Sequence, residues 1–373
     1  MNILLIPDSF KDSISSKAII EALEIGFNKI DADIKLYSCV ASDGGEGFLK
    51  AVKHQIEVST IEHDTLDPIG RPIEAEYLFD RANATAYIEM AQASGFEKLS
   101  VVERNPMNTT TVGTGLQIMH AINKGARTLY IGLGGSATND GGIGMASVLG
   151  YSFLDEENDP VLPVGRNLVR ITSVKGEFVF PQVKIFAVND VSNPLIGQNG
   201  AAYTYAKQKG ASKMEVEQLD EGLRHLSKIV EINLKTNFSE ISGSGSAGGS
   251  GYGLKSFFNA EFLSGIEFFL ELAKIEQLLL TEKIDFIITG EGSIDEQSLK
   301  GKLISGIVNL ARKHNVKVIA ICGKLEIKEE DYKTLGLYYA TPITEDHIDP
   351  SESMTNAAYY IENIPQKLIQ VMR

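Results

Sequence analysis

The residue types that could do chemistry in this chain sit where apolar, strand-like runs give way to acidic or glycine-bearing loops. The run Asn2–Ile6 leads into Pro7-Asp8-Ser9-Phe10-Lys11, and a run over 34–40 leads into Ser42-Asp43-Gly44-Gly45-Glu46-Gly47. The run over 183–188 ends in Asn189-Asp190-Val191-Ser192-Asn193-Pro194, and that over 284–288 in Thr289-Gly290-Glu291-Gly292-Ser293-Ile294-Asp295, with Lys302 opening the next helix. Between these lies Gly132-Leu-Gly134-Gly135-Ser136-Ala-Thr138-Asn139-Asp140-Gly-Gly-Ile-Gly144, which follows the strand-like Thr128–Ile131 and precedes a helix start. Such a strand–turn–helix junction lets backbone N–H groups converge on an anion, and its hydroxyl and amide side chains add donors. One glycine in such a turn would mean only close packing of a helix on a sheet; a cluster of six interleaved with polar side chains favours a ligand.

Acidic strand ends beside anion-cradling turns suit Mg2+ and polyphosphate, because Mg2+ takes one or two carboxylates and completes its shell with phosphate oxygens and water. Phosphoryl transfer needs these parts, a cation near the transferred group and a base near the acceptor hydroxyl. Lys11 and Lys302 are the candidate cations, and Asp8, Asp43 and Asp190 the candidate bases. Asp190, Glu291 and Asp295 are the candidate Mg2+ carboxylates. Ser9, Gly44, Gly45, Glu46 and Asn193 join the 134–140 turn, Gly290, Glu291 and Lys302 as candidate substrate and phosphate contacts. Taken singly, Asp8 reads equally well as a turn cap and Lys11 as a solvated loop charge.

Other chemistries fit less well. No G-x-x-x-x-G-K-[ST] loop and no H-R-D catalytic loop occurs, so a phosphotransferase here is of neither of those classes. The histidines show no close metal-ligand spacing. The formal G-x-G-x-x-G at 243–248 has no strand before it, and the loop 243–253 reads as a ligand-touching loop rather than a linker. A nicotinamide-dependent hydroxy-acid dehydrogenase is the alternative enzyme class, weakened because the first strand–helix turn lacks glycine. A non-catalytic nucleotide sensor is the third reading.

The elements that must position these loops are strands and helices in alternation at both ends of the chain, the mark of a parallel sheet. Between them, runs over 58–63, 73–79 and 85–90 are joined by short turns at Asp67-Pro-Ile-Gly70 and Asp80-Arg-Ala-Asn83, which suits antiparallel neighbours. An amphipathic helix is expected over 219–234, a long helical stretch over 262–280 and a closing helix over 354–371. A length of 373 residues, 43% of them hydrophobic, supplies two cores. A net charge of −14 argues against nucleic acid or an anionic membrane as partner. Cys39 and Cys322 form no disulfide framework, and no run is apolar enough to span a bilayer, so a soluble cytoplasmic protein is expected.

Pro7-Asp-Ser-Phe-Lys11, Ala41-Ser-Asp-Gly-Gly-Glu-Gly47, Gly132–Gly142, Asn193-Pro-Leu195 and Ile288-Thr-Gly-Glu-Gly-Ser-Ile-Asp295 with Gly301-Lys302 occur in an order that resembles the bacterial glycerate kinase family. The resemblance spans nearly the whole chain. It implies ATP-dependent phosphorylation of D-glycerate with Mg2+, usually at the 2-hydroxyl, in a cleft between two α/β domains. The fold class expected is therefore α/β. A Rossmann/flavodoxin-like doubly wound parallel sheet would form from residues 1–60 and 285–373, with a mixed-sheet α/β domain, 61–284, inserted; residues 100–150 are assignable to either. The partners implied are D-glycerate and ATP, with no nucleic acid and no membrane, and a homo-oligomer is compatible. Two positions depart from the family pattern, which usually has Gly where Asp12 stands and Arg where Ser293 stands. A kinase of another small hydroxy acid is the nearest alternative.

Overall fold

The computed structural model describes residues 1–10, 13–40, 47–295, 302–344 and 348–373, with the side chains of Lys302 and Pro350 excepted. Lys11, Asp12, Asp43, Gly44, Gly45 and Glu46 lie outside the described residues. In chain order the strands are β1 (Asn2–Pro7), β2 (Lys35–Ser38), β3 (Ser59–Leu66), β4 (Pro72–Asp80), β5 (Thr85–Glu89), β6 (Thr128–Gly132) and β7 (Tyr151–Leu154). They continue with β8 (Ser173–Gly176), β9 (Lys184–Val188), β10 (Glu261–Leu263), β11 (Phe286–Ile294), β12 (Lys317–Leu325) and β13 (Tyr339–Pro342). The chain divides into two compact units. Unit 1 is Met1–Ser42, His54–Ile56 and Ile266–Arg373; unit 2 is Asp43–Lys53 and Glu57–Gly265.

Unit 1 is built on a five-stranded, all-parallel sheet of order β13-β12-β11-β1-β2. The two ends of the chain meet at its centre, with Ile3 paired to Phe286 and Pro7 to Gly290. Ile3, Leu4, Leu5 and Ile6 are all fully buried. Leu4 and Ile6 pack with Ile304, Ile307 and Val308 of the helix Lys302–Lys313, while Ile3 and Leu5 point to the opposite face. A strand covered on both faces has to be apolar throughout, which is why the run shows no alternation. Each such side chain contributes about 1.5–3 kcal/mol by leaving water. The helix Ser16–Ile30 starts where the Ser15 side chain accepts from the Ala18 N–H, and it buries Ile19, Ile20, Leu23 and Phe27. A Cβ at Gly26 of that helix would stand 2.1 Å from the Glu362 carbonyl oxygen, so only glycine allows the helix Ala357–Asn363 to approach so closely.

Unit 2 carries a six-stranded mixed sheet of order β10-β9-β6-β5-β4-β3. β3, β4 and β5 are antiparallel neighbours, whereas β5, β6, β9 and β10 run parallel. The edge strand β3 is exposed or partly covered at most positions, while β5, one of the two central strands, is buried along its whole length. β7 and β8 form a separate antiparallel pair. The fold is thus α/β, with a parallel sheet built from both ends of the chain and a mixed sheet between them.

Three helical expectations change in detail. The stretch 262–280 is not one helix: it opens within β10 and continues as Gly265–Leu272 and Ile275–Thr281, interrupted at Lys274, whose φ is 53°. The closing stretch is three helices, Pro350–Thr355, Ala357–Asn363 and Pro365–Met372, the last begun by a proline that lacks the N–H a continuing helix would use. The amphipathic helix expected from 219 begins earlier, at Lys213, where Ser212 and Glu215 form a capping box. Among the described residues no helix is long and apolar enough to cross a membrane.

Candidate active site

The glycine-rich turn after β6 is organised from within by Asp140, which is fully buried. Its carboxylate accepts from the Thr111 N–H and hydroxyl, both at 2.8 Å, and from the Gly142 and Gly144 N–H groups. Thr111 caps the helix Val112–Asn123, and Gly142 precedes the helix Ile143–Val148, so one carboxylate serves the starts of both. Burial raises the Asp140 pKa, and these donors oppose that rise. The Thr/Gly run of 105–115, rich in donors, therefore spends Thr111 on Asp140. Thr109 is also committed, donating to the Ala137 carbonyl.

The second glycine-rich stretch packs directly on the first. It lies in the helix Ser246–Phe258, which bends where Ala247, Gly248 and Gly249 have φ of 50°, 66° and 85°. The Gly141 N–H donates to the Gly248 carbonyl, and a Cβ at Gly248 would stand 1.9 Å from the Thr138 carbonyl oxygen. Two backbones can approach this closely only without side chains between them. Beside this contact Asn139 is fully buried, and neither of its amide atoms has a partner among the described residues; the Thr138 hydroxyl is likewise buried and unpartnered among them.

A cavity of about 420 Å3 opens at the C-terminal ends of β6 and β9, lined by Gly134, Gly135, Ser136, Asn189, Asp190, Tyr205, Lys209, Ser246 and Ala247 among others. Gly134, Gly135, Ser136 and Asp190, proposed from the sequence as contacts, thus come together. Asp190 is half-buried and its carboxylate accepts from the Ser264 hydroxyl at 2.8 Å. Asn193 sits outside this lining; its amide donates to the Asn199 carbonyl and the Thr204 hydroxyl and accepts from Tyr205. The geometry also brings in Lys209, which no sequence motif singles out. Lys209 is 5% exposed and donates to the Ser136 hydroxyl and the Thr138 carbonyl, both at 2.7 Å. It follows a π-helical turn, Ala202–Ala206, a form of helix often found at functional sites.

Glu89, at the end of β5, is a second residue missed in the sequence. It is 3% exposed and accepts from the N–H groups of Gly47 and Leu49, at the start of the helix Phe48–Gln55. It thereby anchors the chain directly after the Asp43–Glu46 segment. An acidic residue closing an otherwise apolar strand was the available signal, the same one that pointed to Asp190.

In unit 1 a cavity of about 700 Å3 lies at the C-terminal ends of β1, β11, β12 and β13. The sheet's strand order reverses between β1 and β11, the position where open parallel sheets hold their ligands. Asp8, Ser9, Glu291, Ser293 and Lys324 line it, together with the apolar side chains of Phe10, Leu325, Pro342, Ile343, Ile348 and Met354. The Asp8 carboxylate accepts from the Ser9 N–H and hydroxyl. Asp295 follows β11 directly, outside the lining. Gly290 lies within β11, where a Cβ would stand 2.3 Å from the Ile321 carbonyl oxygen, so its lack of a side chain serves the passage of β12.

A family model described as the glycerate kinase family matches residues 3–373 of the chain. A glycerate kinase of Halalkalibacterium halodurans is 38% identical over 326 residues, covering 87% of this chain and 85% of that protein. A glycerate 2-kinase of Escherichia coli K12 is 36% identical over 328 residues, covering 87% and 86%. A crystal structure from Salmonella typhimurium LT2, of a protein assigned as glycerate kinase 2, superposes with a TM-score of 0.84 at 32% identity, covering all of this chain and 98% of that one.

Proposed function

We propose, because the chain belongs to the glycerate kinase family, that it transfers the γ-phosphoryl group of ATP to a hydroxyl of D-glycerate, the 2-hydroxyl first. In this reaction the γ-phosphorus–oxygen bond to ADP breaks, a bond to the glycerate oxygen forms, and the hydroxyl proton passes to a base. The observation that carries the reading within the fold is the convergence of Asp190 and the Gly134–Ser136 turn on one cavity at adjacent parallel strand ends. Asp190 is the base we favour there, held in place by the Ser264 hydroxyl. Asp43 and Lys11 keep their proposed roles as alternative base and phosphate cation, on segments outside the described residues.

We assign the nucleotide to the unit 1 cavity and glycerate to the unit 2 cavity. The apolar side chains from Phe10 to Met354 suit a planar base, and the smaller cavity, with Ser136, Asp190 and Lys209 in its lining, suits a three-carbon hydroxy acid. Among the described residues no three His, Cys, Asp or Glu side chains gather to hold a metal. Mg2+ arriving with a nucleotide needs only one or two carboxylates, and the half-buried Asp190 in unit 2, or Glu291 and Asp295 in unit 1, fit that need. When bound, the ion would neutralise charge on the phosphate oxygens.

The test is ADP release from Mg-ATP with D-glycerate, L-glycerate or no acceptor, with the product read by phosphorus NMR. Release that depends on D-glycerate, with the phosphorus signal of the 2-phosphate, is the expected result. A 3-phosphate signal would overturn only the position of transfer, and release indifferent to either glycerate would overturn the substrate.

A further inference from the structure

We propose that Lys209 is the cation that receives the carboxylate of the hydroxy-acid substrate, with the Ser136 hydroxyl as a second donor to the same group. The inference rests on the glycerate reading and deepens it.

An ammonium group has three hydrogens to donate. Two of those on Lys209 go to Ser136 Oγ and the Thr138 carbonyl oxygen, and the residue lines the cavity. That leaves one donor for whatever occupies the space. Ser136 accepts from Lys209 through its oxygen, so its own hydrogen remains to be given, and it lines the same cavity. Lys209 is the one cationic side chain among the described residues that line it, and Asp190 stands in it with the opposite sign. A chain of net charge −14 admits a carboxylate there only where a local positive charge meets it. A buried ammonium in turn gains from a further anion, since the nearby Asp140 carboxylate offsets its burial only in part. Each requirement answers the other.

The charge state of Lys209 follows its surroundings. Burial pulls its pKa down to about 7, and the nearby Asp140 carboxylate opposes the fall. Asp190 and Tyr205 are the other titratable groups in the cavity, and the Arg104 guanidinium lies 5.1 Å from the ring centre of Phe96, which also lines it. With the cavity empty near neutral pH the amine is thus partly neutral, and an entering carboxylate favours the protonated form. Binding of glycerate then takes up a proton.

The experiment is steady-state kinetics of the wild type and of Lys209→Met, varying D-glycerate and Mg-ATP separately from pH 6 to 9. In the wild type, kcat/KM for D-glycerate should fall about tenfold per pH unit above the pKa of this amine. Lys209→Met should raise the KM for D-glycerate by about a hundredfold or more, as loss of one partner of a buried charged pair does. It should leave the KM for Mg-ATP within about threefold and abolish the alkaline fall. Lys209→Arg, which stays charged, should recover part of the glycerate affinity and also lack that fall. A role confined to bracing the 134–138 turn would instead raise both KM values together, and that result overturns the proposal. So does a flat wild-type profile, a measurement that stands even if the methionine variant does not fold. Wild-type enzyme with no D-glycerate turnover sinks the functional reading itself, whereas turnover with an unchanged KM in Lys209→Met sinks only the role of Lys209.

Discussion

In the lining of the unit 2 cavity beside β6 and β9, Ser136 and Lys209 are already bonded to each other, whereas the larger unit 1 cavity sets Asp8, Glu291 and Lys324 among apolar side chains. In unit 2, Asp140 holds two helix starts, Lys209 holds the glycine turn, and Gly248 lies against Thr138 without room for a methyl group. In unit 1, Asp8, Glu291 and Lys324 share a larger cavity with Phe10, Leu325 and Ile343. The difference separates two kinds of recognition. A small, charged, hydroxyl-bearing molecule needs polar groups fixed in advance, since each misplaced donor costs affinity. A nucleotide gains much of its binding from the apolar area of its base, which a broad wall supplies with looser geometry.

The largest effect should come from Asp190→Asn, which keeps the side chain's shape but not its basicity. Turnover should drop by about 10²–10⁴-fold with the thermal midpoint little changed. Near-normal turnover would move the base elsewhere, Asp43 first. Next comes Asp140→Ala, which strips the Thr111, Gly142 and Gly144 N–H groups of their acceptor. We expect a loss of roughly 3–5 kcal/mol in unit 2, read by urea unfolding followed with hydrogen exchange, and little change in unit 1. Equal destabilisation of both units would show that the turn is not braced as described.

Ile343→Ala sharpens the other side of the comparison. Removing this 6% exposed side chain from the lining of the unit 1 cavity should raise the KM for Mg-ATP about tenfold and leave that for D-glycerate unchanged. A rise confined to glycerate would reverse the assignment of the two cavities. The smallest effect concerns acid. In unit 2, His63 and His120 stack at 3.9 Å, and burial lowers the pKa of both below the usual histidine value. The folded state therefore binds fewer protons than the unfolded chain as pH falls below about 6.5, so stability is full above that value and lost beneath it. His63→Gln should flatten the fall of the unit 2 melting point between pH 7 and 5, and an unaltered slope would place its cause elsewhere.

Much of the fold was legible because its signals are local. The apolar runs that became β1, β6, β9, β11 and β12 are continuous and local, and the turns at Asp67–Gly70 and Asp80–Asn83 announced the antiparallel part. What escaped was set by single backbone positions, such as the left-handed Lys274 that splits 262–280. At the site, the glycine clusters marked the right place but not the division of labour within them. Whether Asp140 faces a ligand or Thr111 depends on a partner 29 residues away, and Lys209 meets Ser136 across 73. No spacing rule reaches that far.

The pairing of β1 with β11 also bears on how the molecule is made. Asn2 and Asp285, joined by a hydrogen bond at the foot of these strands, are 283 residues apart in the chain. During synthesis every strand of the unit 2 sheet emerges before β11, so unit 2 can close its core while Ile3–Ile6 still lack their central neighbour. Such distant pairing forms late and slowly, and it leaves an apolar strand open to wrong partners in the meantime. The nascent chain thus passes through a stage with one unit finished and the other waiting, and chaperone demand should peak just before β11 emerges.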